Sequence, residues 1–142
     1  MTDRTPVAVS GDRRISEFSF REHLELIRTR PGMYGLDGSY GNFVTYLCGY
    51  DEGARGSALL GFREWLLLLL GRQSSLVWPS LITEQALPGV AHAFGHRNLD
   101  EQQNQVAVEA LFRFLEDFLR DRDTERDGLR SIFRDYSLRF AE

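Results

Sequence analysis

The chain has 142 residues and a formal net charge of −4, a length that suits one domain. With 42% hydrophobic and 27% charged residues, its composition is that of an ordinary globular protein and excludes disorder along the whole chain. The lone cysteine, Cys48, excludes an internal disulfide and a cysteine-based zinc site. The absence of lysine excludes Schiff-base and P-loop lysine chemistry.

Residues 1–15 are mixed and polar, without the apolar centre of a signal peptide. The longest apolar run, Trp65 to Leu70, is far short of the roughly 20 residues a membrane-spanning helix needs. The expected setting is the cytoplasm, without membrane association. The mild acidity disfavours nucleic acid as a partner, because that partner wants a basic face. All 17 basic residues are arginine. They are scattered along the chain, which fits GC-rich codon usage better than a dedicated anion-binding block.

Residues 1–14 read as a flexible leader and 15–142 as a single helical domain. Ser16 and Ser19 are candidate N-caps for a first helix. Phe20, Leu24 and Ile27 form its apolar stripe, and Pro31 stops it at Arg30. The stretch 31–41 has glycines at 32, 35, 38 and 41 and is expected to be a loop. A second helix, about 40–54, turns Phe43, Tyr46, Leu47 and Tyr50 to the core. A third is expected over 58–70, where Leu66 to Leu70 is apolar all round, with Gly71 as its C-terminal cap.

Between Pro79 and Pro88, Ser80 is expected to cap a short helix from Leu81 to Leu87, with a brief strand at 76–78 as the alternative. Asn98 and Asp100 are N-cap candidates for a long helix reaching about Arg122, with Glu101 and Gln103 at the capping-box position. Its stripe is Ala107, Ala110, Leu111, Phe114, Leu115, Phe118 and Leu119. Arg113–Asp117 and Glu116–Arg120 are expected as i, i+4 pairs on the other face. After a charged turn ending at Gly128, a last helix, 129–140, shows Leu129, Ile132, Phe133, Tyr136 and Phe140 on one face. About five helices with little strand signal make an all-α, bundle-like domain.

The stretch Arg28-Thr-Arg30-Pro31-Gly32-Met33-Tyr34-Gly35 resembles the RPGMYIG segment of the gyrase B-type ATPase domain. The resemblance runs on through a second helix to Asp51-Glu52 and covers about a quarter of the chain. Aligned on that pair, the family's general-base glutamate falls on Val44 and its magnesium-binding asparagine on Cys48. The glycine-rich ATP lid has no counterpart. The resemblance therefore implies the local helix–loop–helix and no ATP hydrolysis.

Taken by itself, the loop has two readings. Its backbone amides, with Arg28 and Arg30 just upstream, could cradle an anion. Equally, it could be a structural turn in which Met33 and Tyr34 plug an apolar gap. The candidate binding set is Arg28, Arg30, Gly32, Met33, Tyr34, Gly35, Asp37 and Tyr40.

His92 and His96 have the i, i+4 spacing of a helical metal pair, but Gly95 lies between them and the glutamate of HExxH is missing, so a structural role is expected and no metal. Cys48 reads as a small buried hydrophobe. Ser57, Ser74 and Ser75 stand in no nucleophile-elbow context. Trp78 and the tyrosines at 34 and 40 fall in expected loops, where aromatics anchor partners. Residues 100–127 carry nine acidic residues against four arginines. Asp117, Asp121 and Asp123, with Trp78, are the candidate partner face.

Without an assembled catalytic set or a cofactor motif, the favoured class is a small interaction protein binding another protein, of the bacterial immunity or antitoxin type, whose acidic face would complement a basic cleft. A nucleotide- or anion-binding module using Arg28, Arg30 and the loop is the alternative. An enzyme drawing on Cys48, His92, His96, Asp51 and Glu52 is the third reading.

Overall fold

In the computed structural model, residues 19–90 and 98–141 are described. Among them there are six α-helices and no strand: α1 (Phe20–Thr29), α2 (Tyr40–Gly53), α3 (Phe62–Leu70), α4 (Trp78–Ala86), α5 (Glu101–Leu119) and α6 (Gly128–Phe140). No helix among the described residues is long and apolar enough to cross a membrane. The expected leader, Ser16, and the histidines at 92 and 96 lie outside the described residues.

The helix starts legible in the sequence are built as capping boxes. Ser19 Oγ accepts from the Glu22 amide at 3.0 Å, and Glu22 accepts from the Ser19 amide at 3.0 Å. Asp100 and Gln103 repeat the arrangement at the start of α5, at 2.7 and 2.9 Å. α1 ends where Pro31 forbids continuation, and the chain enters a 3-10 turn, Pro31–Tyr34. That turn is closed by Gly35 at φ 73°, a left-handed conformation that glycine adopts without strain.

The post of the fold is α5. Its expected stripe, Ala107 to Leu119, is buried, joined by Phe112. α1, α2, α3 and α4 all pack on it, while α6 lies against α3. Ile27, Leu47, Phe62, Leu67, Leu81, Ile82 and Phe118 fill the space between.

The sequence and the structure part in four places. α4 begins at Trp78, before the expected Ser80 cap, and no strand forms at 76–78. Pro79 sits in the first turn, where a proline's missing N–H costs no hydrogen bond. This places Trp78 on a helix, partly buried against Phe62 at 5.3 Å between ring centroids, and not in an open loop. α3 starts at Phe62 because 58–61 form a turn. The last residue of that turn, Gly61, has φ 91° and leaves no room for a Cβ, which would lie 2.9 Å from Leu129 Cδ1.

Regular α geometry in α5 stops at Leu119, short of Arg122, and a π turn follows at Arg120–Thr124. The π turn is tied down by Arg122. Its guanidinium donates to the carbonyls of Ser57, Ala58 and Leu60 at 3.3, 3.0 and 3.1 Å and lies 4.9 Å from the Phe118 ring centroid. Gly128 opens α6 beneath it, where a Cβ would stand 2.3 Å from the Asp121 carbonyl oxygen. The expected i, i+4 pairs on α5 are replaced. Arg120 reaches Asp117 at 3.1 Å, and Glu116 reaches Arg21 of α1 at 3.7 Å.

Candidate protein-binding face

The most concentrated side-chain chemistry at the surface lies between α1 and α2. Phe20 and His23, three residues apart, stand on one side of α1, and Tyr46 and Tyr50, four apart, on the facing side of α2. The 3-10 turn that Pro31 imposes brings Tyr34 to the same place. The rings form one array. Tyr50 is stacked between Phe20 and His23, each at 5.0 Å, and His23 meets the Tyr34 ring edge-on at 5.4 Å. Tyr34 meets Tyr46 at 5.9 Å, within the range of favourable aromatic contact.

The polar link is between His23 Nε2 and the Tyr46 hydroxyl, 2.8 Å apart. Partial burial lowers the His23 pKa, because the cationic form loses hydration there. Burial raises that of Tyr46, with smaller contributions from the Tyr34 and Tyr50 phenols. Both shifts favour the neutral forms of the imidazole of His23 and the phenol of Tyr46. Met33 stands at its turn end with 70% of its surface exposed. Arg30 is exposed and has no ion pair among the described residues.

The structure divides the expected binding set. Met33 and Tyr34 belong to this face, with Arg30 nearby in the chain. Arg28 lies on the other flank of α1, paired with Glu25 at 2.8 Å. Tyr40 is fully buried, which corrects its placement in the set. Its hydroxyl donates to the Pro79 carbonyl at 2.7 Å, its amide donates to Asn104 Oδ1 at 2.7 Å, and burial drives its pKa far up.

The remaining loop groups serve the loop itself. Asp37 accepts from the Ser39 amide at 2.9 Å, and bonding from Ser39 holds its carboxyl below the ordinary value. The amides of Met33, Gly35 and Leu36 donate to the carbonyls of Arg30, Gly32 and Pro31. The Asp37 amide donates to Asn42 Oδ1 at 3.0 Å. Gly32 is exposed, with open space where a Cβ would stand.

The three acidic residues of the candidate partner face are also engaged within the chain. Asp121 accepts from the Trp65 indole N–H at 2.8 Å, Asp123 pairs with Arg122 at 2.7 Å, and Asp117 pairs with Arg120. Cys48 is exposed, not buried as expected; partial desolvation of its thiol by neighbouring atoms, with the charges of Asp51 and Glu52, raises its pKa, the wrong direction for a nucleophile. Val44 is buried in the core. Among the described residues no group of three or more His, Cys, Asp or Glu side chains could hold a metal ion.

Sequence reasoning missed His23 altogether and assigned Tyr50, which is 37% exposed, to the core; Tyr46, assigned there too, is partly buried against it. A signal was present: two hydroxyl-bearing rings in one apolar stripe, and a histidine three residues after Phe20. No protein-family model, curated protein or solved structure matches the chain.

Proposed function

We propose that this chain is a non-catalytic protein-binding module and that the α1–α2 aromatic face is its contact surface. The observation that carries the reading is the five-ring array that the described residues leave partly exposed, next in the chain to a 70% exposed methionine. Tyrosine, methionine and arginine are the residues enriched where partners dock. Rigid rings held by their neighbours lose little side-chain entropy on contact. The high thiol pKa of Cys48 and the burial of Val44 support the absence of catalysis.

Within this class we retain the immunity or antitoxin type, in which a small domain covers the working site of a larger protein. The aromatic face supplies the contact, and the net charge of −4 supplies attraction to a basic partner. The anion-binding reading of the loop is weakened, because the amides of Met33, Gly35, Leu36, Asp37 and Ser39 already donate within the chain.

The test is affinity capture from the native cell with the parent chain and two exposed-face variants, Met33→Glu and Tyr50→Ala, followed by mass spectrometry. A partner held by the parent and lost with both variants supports the reading. A partner retained equally by all three overturns it. Magnesium-dependent phosphate release from ATP is expected to stay at the blank level.

A further inference from the structure

The other flank of α1 faces α5 across a groove of about 490 Å³. Its floor is Leu24, Val108 and Phe112. The two rims are charged in a regular order. Along α1 they read Arg21, Glu25, Arg28, and along α5 they read Glu109, Arg113, Glu116. Both rows have i, i+4, i+7 spacing, so each lies on one face of its helix.

The two helices run antiparallel. Arg21, at the start of α1, meets Glu116 near the end of α5 at 3.7 Å, while the loop that follows α1 is pinned to Asn104 near the start of α5. Arg21 is thus level with Glu116, Glu25 with Arg113 and Arg28 with Glu109, opposite charges at every level. Within one chain only the first level is closed. Arg28 turns to Glu25 of its own helix, Arg113 lies over the Phe114 ring at 5.5 Å, and Glu109 has no ion pair among the described residues.

We infer that this groove is a self-association face that takes a second copy of the chain. A two-fold axis parallel to the helices lays α1 of one copy over α5 of the other. Every level then pairs opposite charges between copies: Arg21 with Glu116, Glu25 with Arg113, Arg28 with Glu109, each twice. The perpendicular two-fold lays α1 over α1, with Arg21 against Arg28 and Glu25 against Glu25, and is repelled. The favoured arrangement is a four-helix layer. The groove residues of both copies meet along its axis, and the rims act as the flanking charge pairs that set register in helix bundles.

The face is two helices wide and about 15 Å long, and Leu24 and Phe112 are already largely buried in the monomer. The interface therefore falls at the small end of specific interfaces, and the association is weak and salt-sensitive. The aromatic face lies on the opposite flank of α1 and stays open in both copies.

Sedimentation equilibrium from micromolar to millimolar chain, at 50 and 500 mM salt, tests this. The expected mass rises toward twice that of the chain at low salt and falls back at high salt. Glu25→Arg and Arg113→Glu each place like charges face to face twice per dimer, and each is expected to weaken association at least about tenfold. The double variant exchanges the charges and is expected to recover it. Both positions are exposed, and unchanged helical circular dichroism confirms the fold. A chain monomeric at every concentration overturns the inference. So does a dimer indifferent to the single reversals, or a double variant that recovers nothing.

Discussion

The molecule carries two clusters of aromatic rings that look alike in geometry and differ in what surrounds them. One, built from Phe62, Trp65, Trp78, Phe114 and Phe118 at 5.0 to 6.4 Å, is closed between α3, α4 and α5. The Trp65 indole donates to Asp121 within the chain, and the Arg122 guanidinium lies over the face of the Phe118 ring. The other, Phe20, His23, Tyr34, Tyr46 and Tyr50, lies between two helices and is only partly covered by the described residues, with Tyr50 37% exposed. Hydrophobic periodicity cannot separate the two, because each sits on regular helical stripes. The composition separates them: the closed cluster is Phe and Trp, the open one is mostly Tyr and His. Hydroxyls and imidazoles tolerate water and offer directional bonds to a partner, so the open cluster is suited to recognition and the closed one to stability.

The sharpest way to break this contrast is to charge each side of α3. Leu67 is fully buried beneath the closed cluster, and Leu69 on the same helix is 55% exposed. Leu67→Asp is expected to unfold the domain, since an unpaired buried carboxylate costs several kcal/mol against a total of roughly 5–15. Leu69→Asp is expected to stay within about 0.5 kcal/mol of the parent. Thermal and urea melts decide it, and equal melting of the two would mean that α3 does not pack as described. One step smaller is the ring deletion itself. Phe118→Ala is expected to cost about 3–5 kcal/mol, whereas Tyr50→Ala on the open cluster is expected to cost about 1 kcal/mol while abolishing partner capture. Comparable losses in the two variants would erase the division of labour between clusters.

How far the sequence reached follows the same division. The capping boxes at Ser19 and Asp100, the proline stop at Pro31 and the buried stripe of α5 are local patterns, readable because a helix start or face is decided by residues a few positions apart. The turn before α3 depends on Gly61 at φ 91°, against which Leu129 of α6 packs, and the π turn is tied by Arg122 reaching three carbonyls more than sixty positions back. Those contacts leave no trace in periodicity. The candidate site fared likewise. Met33 and Tyr34 were legible from an exposed turn, but the array needs α1 and α2 side by side, and that pairing brings in His23, joins it to Tyr46 and leaves Tyr50 at the surface. Tyr40 was misplaced for the converse reason, because its ring threads inward to Pro79.

A polar contact at the edge of the closed cluster gives the next effect. Asp121→Ala removes the acceptor of the Trp65 indole at a part-buried position. The expected cost is about 1–2 kcal/mol, since the donor is left without its partner. Asp121→Asn keeps an acceptor and is expected to recover much of the loss. If Asp121→Ala melted like the parent, Asp121 would be available to a partner, and the acidic stretch would return as a contact face.

The smallest expected effect concerns the only imidazole in either cluster. In the folded chain the pKa of His23 lies below its ordinary value of 6.5, because partial burial among rings penalises the cation. The folded state then binds fewer protons than the unfolded state wherever the pH lies near or between the two values. By linkage, stability rises with pH across that window. The contribution is fully present above the unfolded value, and it is lost as the pH falls through the folded one. Among the described residues, the rings of Tyr34, Tyr46 and Tyr50 pack against the imidazole. His23→Gln keeps a hydrogen-bonding side chain beside the Tyr46 hydroxyl and carries no titrating group. Urea melts at pH 7.5, 6.5 and 5.5 are therefore expected to show the parent losing more stability on acidification than His23→Gln. His92 and His96 are present in both chains, so the difference isolates His23. Parallel losses would mean that the imidazole is as well hydrated as in the unfolded chain, and the array would be looser than its ring distances show.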